Sequence, residues 1–219
     1  MTSLGKGAKG GKHTRIGAHR DASPVDAQLR ARLDTLIEEG LDVFERFDRE
    51  VRTRHFHPFI AADYERVLQT LITLRTPGLR FLELGSATGI ITLMADLLGF
   101  DAYGIELDAS LVTTARALAE RHGSRARFVS GSFIPAGYRW RPTTADVGRH
   151  GTIGDGASAY AELGYALDDF DLVYAYPWSG EEPMMLDLMR CYGGERARLL
   201  LNGDDGVTVY SGGVREASD

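Results

Sequence analysis

Apolar residues between positions 23 and 72 recur at the spacing of one helix face. Val25, Leu29, Leu33, Leu36, Ile37, Phe44, Phe47 and Val51 follow Ser23-Pro24, a pair with the form of a cap and a proline at the first helical position. The spacing predicts a long helix, broken at Gly40. Beyond a bend at Pro58, Tyr64, Val67, Leu68, Leu71 and Ile72 mark the inward face of a second helix, which Thr76-Pro77-Gly78 ends. From residue 80 the period changes. The apolar runs "RFLEL", "DAYGIEL", "ARFVSGSF" and "FDLVYAYPW" are separated by helical stretches over Gly89–Leu98, over "ASLVTTARALAERH" and, shorter, around Tyr160–Leu167. "SGEEPMMLDLMRCYGG" opens with Ser179 and Glu182 at capping-box spacing and stops at Gly193; "ARLLLNG" and "GVTVYSG" then read as strands. Asp108 is placed to cap the second of the alternating helices, and Gly99 and Gly123 fall where helix ends call for a left-handed residue.

Alternation of this kind predicts an α/β fold: a Rossmann-like, mostly parallel sheet with helices on both faces, preceded by amino-terminal helices and closed by a shortened carboxyl-terminal strand region. The 219 residues suit one domain with its own core. The expected organisation is a disordered tail over 1–22 and a single domain over 23–219, with a helical cap at 23–78 and a ligand-binding α/β core at 79–219. A loose segment, "RPTTADVGRHGTIGDGAS", interrupts the core as a lid or a tolerated insertion.

Composition and charge refine this picture only in places. Residues 1–20 carry Lys6, Lys9, Lys12, Arg15 and Arg20 and no acid, so the remainder is more acidic than the whole-chain net charge of −6. An acidic body argues against a nucleic-acid partner, because phosphate repulsion would have to be overcome locally. The most apolar segment, from Ile90 to Phe100, contains Asp96 and is too short to span a bilayer, so no membrane association and a cytoplasmic location are expected. Cys191 stands among Met185, Leu188 and Met189 and reads as a core residue rather than a nucleophile. His55 and His57 lack a partner at metal-ligand spacing, so no metal site is expected.

The candidate chemistry begins in "FLELGSATGIITLMADLLGF", where an apolar run passes through two glycines into a helical pattern. A dinucleotide fingerprint needs glycines at the first, third and sixth positions, which are Gly85, Ala87 and Ile90 here. Isoleucine at the last of these disfavours a nicotinamide site. "ELGSATG" instead resembles motif I of the class I S-adenosylmethionine-dependent methyltransferases, with Ala87 in place of the middle glycine. Glu106 ends the second strand 21 residues after Gly85, where a carboxylate can accept from both hydroxyls of a ribose.

The resemblance implies S-adenosylmethionine as cofactor. It implies that Glu83, Gly85, Ser86, Ala87 and Gly89 hold the methionine end, Glu106 and Leu107 the ribose side, and Ser132 and Phe133 the adenine border. Many members have aspartate where Ser132 stands. "DLVYAYPW" occupies the family's motif IV position and loosely resembles its Asn-Pro-Pro-Tyr type, lacking the first polar residue and one proline. Tyr176 and Trp178 are therefore the candidate catalytic residues, offering aromatic faces to a sulfonium or a planar acceptor. The expected activity is methyl transfer to a small-molecule acceptor. A nicotinamide-dependent oxidoreductase and a non-catalytic cofactor-binding module are the alternatives.

Overall fold

Helix α1 (Ala27–Phe47) runs unbroken through Gly40 in the computed structural model, which describes residues 25–52, 59–140 and 156–217. The basic tail, the Ser23-Pro24 pair, His55, His57, the bend at Pro58 and most of the glycine-rich segment fall outside the described residues. The cap of α1 is Asp26, whose carboxylate accepts from the Leu29 N–H at 2.8 Å. The break expected at Gly40 is absent for a packing reason. A Cβ there would stand 2.7 Å from Ile90 Cγ1, so the missing side chain lets α1 lie against helix α3 (Ile90–Leu97). Helix α2 (Tyr64–Thr73) starts on Asp63, which accepts from the Arg66 N–H, and buries Tyr64, Val67, Leu68 and Leu71 as its spacing predicts.

Among the described residues, seven strands form one sheet in the order β3-β2-β1-β4-β5-β6-β7. They are β1 (Arg80–Leu84), β2 (Asp101–Glu106), β3 (Arg127–Ser130), β4 (Leu172–Ala175), β5 (Arg198–Gly203), β6 (Gly206–Ser211) and β7 (Val214–Arg215). The pairs β1·β2, β1·β4, β2·β3 and β4·β5 are parallel, and β6 and β7 are added antiparallel. The order reverses at β1, so its carboxyl end opens the crevice where ligands bind in doubly wound folds. The carboxyl-terminal region is longer than expected: two strands follow "ARLLLNG", turning at Gly212 and Gly213, both with positive φ.

Strand alternation divides the core. Phe81, Ala102, Leu172, Tyr174 and Leu200 face α1, α2, α3 and helix α4 (Ala109–Arg121); Leu82, Tyr103, Ile105, Val173 and Leu199 face helix α6 (Glu182–Tyr192) and its neighbours. Asp108 caps α4 through the Ser110 N–H at 2.7 Å, and Gly99 and Gly123 take the expected left-handed conformation.

Three local expectations are corrected. The helix around Tyr160–Leu167 divides at left-handed Gly164 into helix α5 (Tyr160–Leu163) and a 3-10 turn at Leu167–Asp169. No capping box joins Ser179 and Glu182: α6 starts after Glu181, and Pro183 in the first turn supplies the helical φ. Cys191 is exposed, because the buried side of α6 is carried by Met184, Met185 and Leu188.

Candidate functional site

The glycine loop is held by backbone on one side and by a carboxylate on the other. Gly85 and Ser86 N–H both donate to the Ile105 carbonyl at 2.9 Å, and the Gly89 N–H closes the turn on the Ser86 carbonyl at 2.7 Å. Glu106 Oε2 accepts from the Ala87 N–H at 2.8 Å, while its Oε1 accepts from the Asp108 N–H at 2.9 Å. One side chain thus ties the loop after β1 to the loop after β2. Each carboxylate oxygen keeps acceptor capacity for a further donor.

These loops border a cavity of about 310 Å³ along the carboxyl ends of the parallel strands. Leu84, Gly85 and Ala87 form its floor beside β1; Glu106, Leu107 and Leu111 form the β2 side; Gly131, Ser132 and Phe133 form the β3 side. Across β1, Tyr176, Pro177, Trp178 and Ser179 continue from β4, Asp204 comes from the turn after β5, and Phe59, Ile60 and Met185 complete the walls. Of the residues expected at the site, Gly85, Ala87, Glu106, Leu107, Ser132, Phe133, Tyr176 and Trp178 are brought together here.

Glu83, Ser86 and Gly89 lie behind the loop instead of on the cavity wall. Glu83 Oε2 accepts from the Thr92 N–H at 3.0 Å and the Thr92 hydroxyl at 2.5 Å, which fastens β1 to the start of α3. Its register partner on β4 is Tyr174, whose buried hydroxyl makes no hydrogen bond among the described residues. Burial pushes the Glu83 carboxyl up to about 8, against the opposing pull of the Thr92 hydrogen bonds, and the Glu106 charge adds to the rise. Gly89 has φ +79, and a Cβ on it would stand 2.5 Å from the Phe128 ring, so this glycine serves close packing.

Gly85 differs in the feature that bears on a ligand. Its φ is +75 and nothing lies within 4 Å of where a Cβ would be, so bare backbone faces the cavity. Together with Glu106 and the apolar β3 border, this cradle fits a nucleoside attached to a small polar chain. A sulfonium suits the same cavity, since the charged side chains on its wall among the described residues are the carboxylates of Glu106 and Asp204. S-adenosylmethionine would supply an electrophilic methyl group there. Glu106 would orient the ribose, Gly85 and Ala87 would leave room for the chain, and the apolar walls would limit water.

Asp204, Phe59, Ile60, Ser179 and Met185 were not singled out from the sequence as site residues. Phe59 and Ile60 precede α2 and carry no motif, and Asp204 sits in a turn whose composition is that of any turn. Among the described residues no cluster of His, Cys, Asp and Glu is built to hold a metal, and no helix is long and apolar enough to cross a membrane.

The fold is that of a doubly wound α/β protein with a cavity at the switch point of the sheet. No family model matches the chain. A curated relative, the ribosomal protein L11 methyltransferase of Thermus thermophilus, is 37% identical over 69 residues, which are 32% of this chain and 27% of that protein. The aligned stretch thus spans about a quarter of the relative's length. Among solved structures, the precorrin-6y C5,15-methyltransferase of Geobacter metallireducens aligns with TM-score 0.46 and 16% identity over 68% of this chain and 67% of that one. An RNA methyltransferase from Salinibacter ruber, in complex with S-adenosyl-L-homocysteine, aligns with TM-score 0.46 and 15% identity over 65% of this chain and 76% of that one. The likeness to methyltransferases read from the glycine loop is thus met again in a relative found by sequence.

Proposed function

We propose that this protein is an S-adenosylmethionine-dependent methyltransferase acting on a small-molecule acceptor. The observation that carries the reading is the single cavity in which Gly85 and Ala87, Glu106 and Leu107, Ser132 and Phe133, and Tyr176 and Trp178 converge from four successive strand ends. The curated relative's activity supports the same chemistry, and Ile90 speaks against a nicotinamide dinucleotide. Ile90 fills the position where that fingerprint wants glycine, and its side chain is buried against α1 at Gly40.

Methyl transfer from a sulfonium is a direct displacement, so this chain's residues would work by alignment and exclusion of water rather than by a dedicated base. Tyr176 and Trp178 would present ring faces beside the reacting centre. Calorimetric titration with S-adenosylmethionine, S-adenosylhomocysteine and NAD tests the reading. One site for the first two and none for NAD is the expected result; saturating S-adenosylhomocysteine with neither heat nor a melting shift overturns it.

A further inference from the structure

The acceptor half of the cavity carries a charge signature of its own. Because the sheet order places β2 and β3 on one side of β1 and β4 and β5 on the other, a nucleoside seated by Glu106 and Phe133 leaves the β4–β5 side for the second reactant. That side is walled by Phe59, Ile60, Tyr176, Pro177 and Trp178, with Asp204 at the rim. Asp204 is exposed and makes no hydrogen bond or ion pair among the described residues, in contrast to Glu106, both of whose oxygens accept from backbone. No Lys, Arg or His lines the cavity among those residues.

We infer that the acceptor is a small apolar amine, its ring or alkyl body against Tyr176 and Trp178 and its nitrogen held by the Asp204 carboxylate. This rests on the proposed methyltransferase reading and adds the class of acceptor to it. A carboxylate- or phosphate-bearing acceptor would bring a negative charge beside Asp204 with no cation among the described lining residues to meet it, whereas an ammonium finds a carboxylate and aromatic faces. Ile60 and Tyr176, 41% and 37% exposed, extend the apolar wall to the mouth, where an amine's hydrocarbon body would cover them. For transfer, the ammonium sheds one proton to water through the open mouth. Its lone pair then forms the N–C bond as the C–S bond breaks, the pair of that bond remaining on sulfur as a neutral thioether.

The test uses the full chain saturated with S-adenosylhomocysteine and three probes of similar shape: 2-phenylethylamine, phenylacetate and 2-phenylethanol. Binding is followed by ligand-detected magnetic resonance and calorimetry. The amine should bind more tightly than the other two, and Asp204→Asn should weaken it roughly 3- to 10-fold while leaving S-adenosylhomocysteine affinity and the melting temperature as in the parent. Equal or tighter binding of phenylacetate, binding of none of the probes, or an amine affinity indifferent to Asp204→Asn each overturns the amine assignment. Failure of S-adenosylhomocysteine itself to bind strikes the methyltransferase reading instead, so the two failures are told apart in one series.

Discussion

The Ala87 N–H donates to Glu106 Oε2 at 2.8 Å, linking the glycine loop to the end of the neighbouring strand. The same carboxylate accepts from Asp108 on its other oxygen, so the residue proposed to receive a ribose also shapes the pocket that would hold it.

Glu106→Gln is therefore expected to have two effects. An amide replaces one acceptor oxygen with a donor group that faces a backbone N–H, which should lower stability by about 1 kcal/mol. Loss of the charged acceptor for ribose hydroxyls should weaken S-adenosylmethionine binding roughly 5- to 150-fold. Unliganded melting temperature measured beside calorimetric affinity separates the two, and a variant that melts lower yet binds like the parent removes the ribose role while keeping the structural one.

The two glycines of the loop should respond in opposite ways. In Gly85→Ala the new Cβ meets open cavity, so stability should fall only by the left-handed penalty of about 1 kcal/mol while cofactor affinity falls at least 10-fold. In Gly89→Ala the Cβ meets the Phe128 ring at 2.5 Å as well as carrying that penalty, so a loss of about 3 kcal/mol is expected. Chemical denaturation and cofactor titration of both variants check the contrast.

Glu83 predicts a slope of stability with pH. Its carboxyl is raised from 4.5 to about 8 in the folded protein, so the folded state holds a proton that the unfolded chain has already released between those values. Stability from this group is complete below pH 4.5, declines as pH rises toward 8, and is level above it, a span on the order of a few kcal/mol. Glu83→Gln should flatten that part of the denaturation profile and exceed the parent in stability at pH 9. A parent profile with the same slope as the variant would sink this account of Glu83.

Gly40→Leu tests the seat of α1 on α3. A branched side chain where even a Cβ comes within 2.7 Å of Ile90 must push the helices apart, and a loss of about 2 kcal/mol is expected in denaturant unfolding.

Much of the fold was legible because strands buried on both faces read as continuous apolar runs, as "LVYA" of β4 does, and because helix faces repeat at a different period. Gly40 misled for a physical reason: glycine signals a break by propensity, yet here the absence of a side chain serves contact with Ile90. The loop motif located the cavity but could not say which of its residues face it. Glu83 and Gly89 lie at the right spacing and turn inward toward Thr92 and Phe128, a distinction made by strand direction and packing depth. Asp204 was invisible because its relevance comes from the turn between β5 and β6 reaching the cavity, from a strand two places away from β1 in the sheet.

The sheet closes at both borders on short strands, β3 with four residues and β7 with two. A long bare edge is a template on which another chain can add its own strand and begin a fibril. Here, among the described residues, β7 and Glu216 pair with Val209, Tyr210 and Ser211, which covers the second half of β6, and on the far side the four-residue β3 begins with the exposed Arg127. The small final hairpin thus acts as a stopper against self-templating. Cutting the chain after Ser211 would bare the second half of β6 as well, leaving a six-residue edge, and should favour aggregation over loss of fold, visible as turbidity and thioflavin fluorescence on mild heating.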